Sequence, residues 1–171
     1  MNPMALLEIL HYPDPRLRIE AKVVNKIDDD IRQIVADMYE TMYAKNGVGL
    51  AATQVGIHLR IFVMDVSETR NERITVINPE ILMREGKQAD TEGCLSVVGA
   101  YDHVERAAKL RFRGMDIQGQ LFELDATELM AACVQHEVDH LNGKLFIDHL
   151  SRLKQERIRK KIEKNKRREI E

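Results

Sequence analysis

Apolar residues along this chain fall into patterns of different period, and each predicts a different element. Between Ile27 and Tyr43, the residues Ile27, Ile31, Ile34, Val35, Met38 and Met42 recur at intervals of mostly three and four, the period of one helix face. The stretch before it, His11-Tyr12-Pro13-Asp14-Pro15, is punctuated by proline and predicts an irregular entry. Arg60 to Val66 is rich in β-branched and aromatic residues and reads as a strand. Ile74 to Ile77 is a second such run, ending at Asn78-Pro79, and Lys109 to Arg113 with Gln120 to Leu124 flank Asp116-Ile117-Gln118-Gly119 as a hairpin. Thr127 to Asn142 returns to the helical period, with Asp125 and Glu128 as a capping-box-like start and Asn142-Gly143 as the stop. The stretch Gly47-Val48-Gly49-Leu50-Ala51-Ala52-Thr53-Gln54 fits no helix pattern, and its small residues let the backbone approach a partner closely. The expected architecture is α+β: antiparallel β-sheets around a central helix, Thr127 to Asn142, with a basic helix at the end of the chain.

Composition narrows the class. A chain of 171 residues with 44% hydrophobic and 32% charged residues suits one globular domain spanning 1–171 and is wrong for a disordered chain. No uncharged apolar run approaches the roughly 20 residues that span a bilayer. The apolar stretch Met4 to Leu10 is short, interrupted by Glu8, and has neither a basic leader nor a cleavage site, so no secretory signal is expected. Two cysteines, Cys94 and Cys133, make no disulfide framework, which points to a reducing, cytoplasmic setting. Residues 152–171 hold ten Lys or Arg against four Glu, a local charge of +6 in a chain whose net charge is −2. That run reads as a solvated amphipathic helix or as an arm drawn to RNA phosphates.

The candidate chemistry lies in the second helix. His136-Glu137-Val138-Asp139-His140 is an H-E-x-x-H motif, in which histidines four apart share a helix face and can meet one ion. Glu137 follows the first histidine by about 100° of rotation, so it reaches a water on the ion rather than the ion itself, as a general base. A chance match in a chain this long is expected on the order of once in a few hundred sequences. A catalytic ion needs a third protein ligand. Phe146 stands where the extended pattern H-E-x-x-H-x-x-G-x-x-H has its third histidine, Glu156 and Glu163 sit among the cations of the tail, and His149 lies beyond the helix end. Cys94, in Glu92-Gly93-Cys94-Leu95-Ser96, is the best candidate, and its thiolate would neutralise one charge of the ion. Gln54 and the backbone N–H of Leu95 are candidate donors to the oxyanion formed when a carbonyl is attacked. Leu129, Ala132 and Cys133 precede His136 by seven, four and three residues on one helical face and are candidate pocket walls, although for Leu129 the same spacing suits ordinary core packing equally well. Two other readings exist: a zinc endopeptidase, opposed by Phe146, and a structural zinc module, in which Glu137 would lack a purpose.

Taken together, Gly47 to Gln54, Glu92 to Ser96 and Gln135-His136-Glu137-Val138-Asp139-His140-Leu141-Asn142-Gly143 resemble, in the same order, the three signature motifs of bacterial peptide deformylases. The resemblance runs from His11 to the basic tail. It implies removal of the formyl group from the N-terminal formyl-methionine of newly made polypeptides, with release of formate. It further implies Cys94, His136 and His140 on the metal, Glu137 as general acid and base, and Gln54 with the Leu95 amide as oxyanion donors. Val48, Gly49 and Leu95 match positions bordering the substrate pocket, and Glu92 matches a carboxylate that orients a ligating imidazole. The implied ion is Fe²⁺, with Zn²⁺, Ni²⁺ or Co²⁺ as substitutes, whereas ligand softness alone favours zinc. The implied partners are N-formylmethionyl nascent peptides and, through the C-terminal helix, the ribosome; a monomer is expected. One departure from the pattern is Val97-Val98-Gly99-Ala100-Tyr101, which lacks the usual proline and carries Tyr101 at a usually basic position.

Overall fold

Among residues 5–170, which the computed structural model describes, the first amphipathic stretch forms α1 (Asp29–Ala44). Asp28 caps it by accepting the Ile31 N–H at 3.0 Å, and Asp29 and Asp30 place negative charge at the positive end of the helix dipole. Ile31, Val35, Met38, Tyr39 and Met42 form its buried face.

Behind that face lies an antiparallel sheet of β1 (Gly49–Ala51), β2 (Ile61–Met64), β3 (Ile74–Glu85), β6 (Lys109–Met115) and β7 (Leu121–Thr127), in that spatial order. β4 (Gln88–Cys94) and β5 (Val97–Arg106) pair with each other in a separate antiparallel ribbon. Every residue of β2 is buried because the sheet is covered on both faces. With the period of two in a strand, Ile61 and Val63 join the cluster of α1, while Phe62 and Met64 join the cluster of α2 (Glu128–Leu141). Burying each such side chain contributes about 1.5–3 kcal/mol. α2 therefore lies against the sheet on the side opposite α1, which is the expected α+β arrangement.

The β6–β7 hairpin turns where its sequence predicts. Asp116 Oδ1 accepts the N–H groups of Gln118 (2.9 Å) and Gln120 (3.0 Å), and Gly119 takes φ 81°.

Two expectations change, and two stretches that the periods left unassigned take form. The run from Ile74 does not stop at Asn78-Pro79 but continues to Glu85. Asn78 adopts φ 53° and its amide bonds both the N–H (2.8 Å) and the C=O (2.9 Å) of Val24, while the β3–β6 register shifts between Ile77 and Glu80. Pro79, which has no N–H for the ladder, sits in that irregularity. Second, α2 does not begin on an Asp125–Glu128 capping box. Thr127 occupies the N-cap without a side-chain bond, Glu128 has φ 50°, and Asp125 in β7 is held by Arg111 across the strands at 3.0 Å. The residues from Gln88 to Arg106 form a ribbon although β4 reads as mostly polar; Val97, Ala100 and Val104 of β5 carry its burial. The glycine-rich stretch resolves into β1 and a 3-10 turn, Ala52–Val55, ended by Gly56 at φ 76°.

The basic tail forms α3 (Arg152–Ile170). Ile158 and Ile162 pack on the cluster of Val97, Ala100, Val104, Phe146 and Ile147, and Lys154 pairs with Asp102 at 3.2 Å. Among the described residues, no helix is long and apolar enough to cross a membrane.

Candidate metal centre

One turn of α2 separates His136 from His140, and their Nε2 atoms lie 3.1 Å apart. Cys94 Sγ lies 3.2 Å from His140 Nε2, and the three donor atoms all lie within 4.8 Å of one another. Cys94 arrives there through an irregularity in its ribbon: Glu92 pairs with Asp102 but Cys94 pairs with Val97. Gly93 makes this possible, since a Cβ on it would come within 2.4 Å of the Tyr101 ring. Bonds of 2.0–2.3 Å to a tetrahedral ion place donors about 3.3–3.7 Å apart; the 3.1 and 3.2 Å separations lie a few tenths of an ångström inside that range, and the thiolate–diimidazole donor set suits a divalent metal.

The rejected ligand candidates lie elsewhere. Phe146 is buried with its ring stacked on His136, centroids 6.2 Å apart. Glu156 and Glu163 are exposed and paired with Arg159. His149 ends the 3-10 turn Phe146–His149 and bonds Asp139 instead, Nε2 to Oδ2 at 2.8 Å.

Around the ligands runs a charged network. Glu92 Oε1 takes His136 Nδ1 at 2.8 Å, while Arg106 donates Nε to Oε2 (2.8 Å) and its NH2 nitrogen to Oε1 (2.9 Å). Burial pushes the Glu92 carboxyl up, but the bonds from Arg106 and His136 outweigh it and hold the group at about 2. The third nitrogen of Arg106, NH1, reaches Asp139 Oδ2 at 2.7 Å. Arg106 itself is buried.

Glu137 is also buried, and its Oε1 has no hydrogen-bond partner among the described residues. Its other oxygen faces Gly49, where a Cβ would stand only 2.5 Å away, so glycine is required there. Burial raises the Glu137 carboxyl to about 7. Gln54 is held on both sides: Oε1 accepts the Ala51 N–H at 3.0 Å, and Nε2 donates to Ser96 Oγ at 3.1 Å and toward Cys94 Sγ at 3.5 Å.

These groups open onto a cleft of about 490 Å³. Val48, Gly49, Gln54, Glu92, Cys94, Leu95, Ala132, Cys133, His136 and Glu137 line it, with Leu129 and Tyr101 at its walls. His140 lies behind them, buried. Leu129 is 52% exposed, so it is a cleft wall and not a core residue. The candidate pocket residues Val48, Gly49, Leu129, Ala132 and Cys133 all fall on this cleft, whereas Arg106 and the bonds made by Asp139, Ser96 and His149 were not foreseen. Arg106 carried one usable signal: it shares the inward phase of β5 with Ala100 and Val104, and a cation on a buried phase demands a partner.

An H-E-x-x-H helix joined by a cysteine from a β-ribbon, above an apolar cleft, defines a class of hydrolase. Within it, the chain belongs to the peptide deformylase family, whose model (polypeptide deformylase) matches residues 6–156. The peptide deformylase of Alkalilimnicola ehrlichii is 57% identical over 162 residues, 94% of this chain and 91% of that one. The crystal structure of the Legionella pneumophila peptide deformylase matches with a TM-score of 0.93 at 46% identity, covering 97% of this chain and 98% of that one. That of Ehrlichia chaffeensis in complex with actinonin matches at 0.92 and 40% identity, over 96% and 99%. The family and fold expected from sequence are those found.

Proposed function

We propose that this hydrolase removes the N-formyl group from the N-terminal formyl-methionine of newly synthesised polypeptides, releasing formate and a free amine. The observation that carries the reading is the convergence of Cys94, His136 and His140, two of which line, together with Glu137, a cleft with apolar walls.

Cys94, His136 and His140 would hold one divalent ion, Fe²⁺ by the family resemblance. Bound there, it would polarise the formyl carbonyl and acidify a water molecule. Glu137, facing the same space, takes the proton of the attacking water and returns it to the departing amine. Gln54 Nε2 and the Leu95 N–H supply hydrogen bonds where negative charge develops on the formyl oxygen. Burial and its two polar anchors fix Gln54 in advance, so little reorganisation is needed. Val48, Leu129, Ala132 and Cys133 take the methionine side chain, and β1, an edge strand with glycine at position 49, lets an extended peptide approach. Glu92 holds His136 by Nδ1 and so leaves Nε2 for the ion.

The test is formate release from formyl-Met-Ala-Ser by anaerobically purified protein, before and after chelation. Activity that is lost on chelation and restored by Fe²⁺ supports the reading. Hydrolysis of internal peptide bonds without formate release supports the endopeptidase instead.

We also propose a ribosome contact through the exposed cations of α3. Changing Lys160, Lys164, Arg167 and Arg168 to Glu should weaken co-sedimentation with ribosomes and leave tripeptide deformylation unchanged, because these side chains are exposed and none of them lines the cleft. Co-sedimentation equal to wild type would exclude that contact.

A further inference from the structure

His149 belongs neither to the three metal ligands nor to the cleft lining, yet it ends a continuous line of hydrogen bonds into the metal centre. Its Nε2 lies 2.8 Å from Asp139 Oδ2. The same oxygen accepts Arg106 NH1 at 2.7 Å, the remaining nitrogens of Arg106 hold both oxygens of Glu92, and Glu92 holds His136 Nδ1 at 2.8 Å. We infer that His149 is a positioning residue for the metal centre, acting through Asp139, Arg106 and Glu92 on the imidazole of His136. This rests on the reading of Cys94, His136 and His140 as metal ligands.

Asp139 is the link whose freedom matters. A carboxylate rotates about its terminal torsion in a broad, two-fold well, so one donor leaves its second degree of tilt open. Asp139 Oδ2 receives two donors, from Arg106 on β5 and His149 on the 3-10 turn, which approach from different elements. Nε2 of His149 also lies 3.3 Å from Arg106 NH1, but the Asp139 carboxylate is closer, at 2.8 Å, and can only accept, so Nε2 is the protonated ring nitrogen and donates to Asp139. Arg106 is planar, so a tilt forced at NH1 also moves Nε and NH2, and the fork on Glu92 moves with them.

The turn that carries His149 is rigidly seated. Phe146 and Ile147 are buried, and Asp148 is held by Arg18 at 2.6 and 3.1 Å and by the Leu145 N–H at 3.0 Å. His149 thereby ties Asp139 to the core beneath β5. Its side chain is 38% exposed, so substitution there does not open a cavity.

The experiment measures cobalt(II) affinity of the full-length apoprotein by competition with a chelator, together with the visible spectrum of the cobalt form. His149→Leu, which removes the donor, should weaken cobalt binding by about tenfold, the low end for loss of an outer hydrogen bond to a metal ligand, and should shift the visible bands. His149→Gln places an amide N–H near the position of Nε2 and should restore both. In a Glu92→Gln background, His149→Leu should add little, because the link it acts through is already broken. Wild-type affinity in His149→Leu, equal loss in the Leu and Gln variants, or undiminished loss in the Glu92→Gln background would each overturn the inference. If the wild type bound no cobalt, the metal-centre reading would fall and this inference with it; cobalt binding with unchanged variants would overturn the inference alone.

Discussion

Glu137→Gln should abolish most of the formate release, lowering kcat by about 10²–10⁴, while the protein still folds and binds its metal ion. The substitution keeps the volume of the side chain and removes its ability to accept a proton. Glu137 is buried, and its Oε1 lacks a hydrogen-bond partner among the described residues. Such a carboxylate opposes stability, since a buried charge or an unpaired polar atom costs free energy. The thermal midpoint of Glu137→Gln should therefore equal or exceed that of the wild type, a gain in stability at the expense of function. Kinetics on formyl-Met-Ala-Ser, metal content and a melting curve on the same samples test all three parts. A variant that binds metal and retains activity within about tenfold of wild type would remove Glu137 from the proton-transfer role, since that is less than acid–base catalysis ordinarily supplies.

Arg106→Met should be the most damaging single change to the folded protein outside the cleft. It leaves Glu92 and Asp139, whose side chains are 11% and 20% exposed, without their cation. Removing one partner of a buried charge network costs about 3–5 kcal/mol, because the remaining charges stay buried. In a chain of this size that is a fall in the melting midpoint of roughly 10 °C or more. Metal affinity should fall as well, because Glu92 loses the fork that aims it at His136. Replacing Glu92, Asp139 and Arg106 together by apolar residues of similar volume should recover stability but not metal affinity. A melting curve and a chelator competition separate the two effects. If the single and triple variants melt alike, uncompensated charge is not the source of the cost.

Part of this molecule is legible locally. The faces of α1, the β6–β7 hairpin and α2 come from residues within a few positions of each other, whose period alone places them on one side. His136, Glu137 and His140 are readable for the same reason: one turn of helix sets their relative directions. Where local signals failed, a distant partner had intervened. Asp125 is a good capping residue in sequence, but cross-strand Arg111 holds it in β7. Pro79 ends strands in general, yet Val24 stabilises the turn of Asn78 that lets β3 continue past it. β4 has too few apolar residues to announce itself and is paired by β5.

By itself, then, the sequence determined the helix and hairpin framework, the H-E-x-x-H pair and, through three ordered motifs, the family. These depend on short-range geometry or on motifs that stay recognisable as strings of residues. Only the tertiary structure decided how Gln54, Cys94 and His136 meet across forty positions or more each, and that Leu129 is a cleft wall. It alone linked Glu92, Arg106, Asp139 and His149 into one network. A buried charge must find its opposite wherever the fold brings one, and the distance along the chain to that partner leaves no period to read.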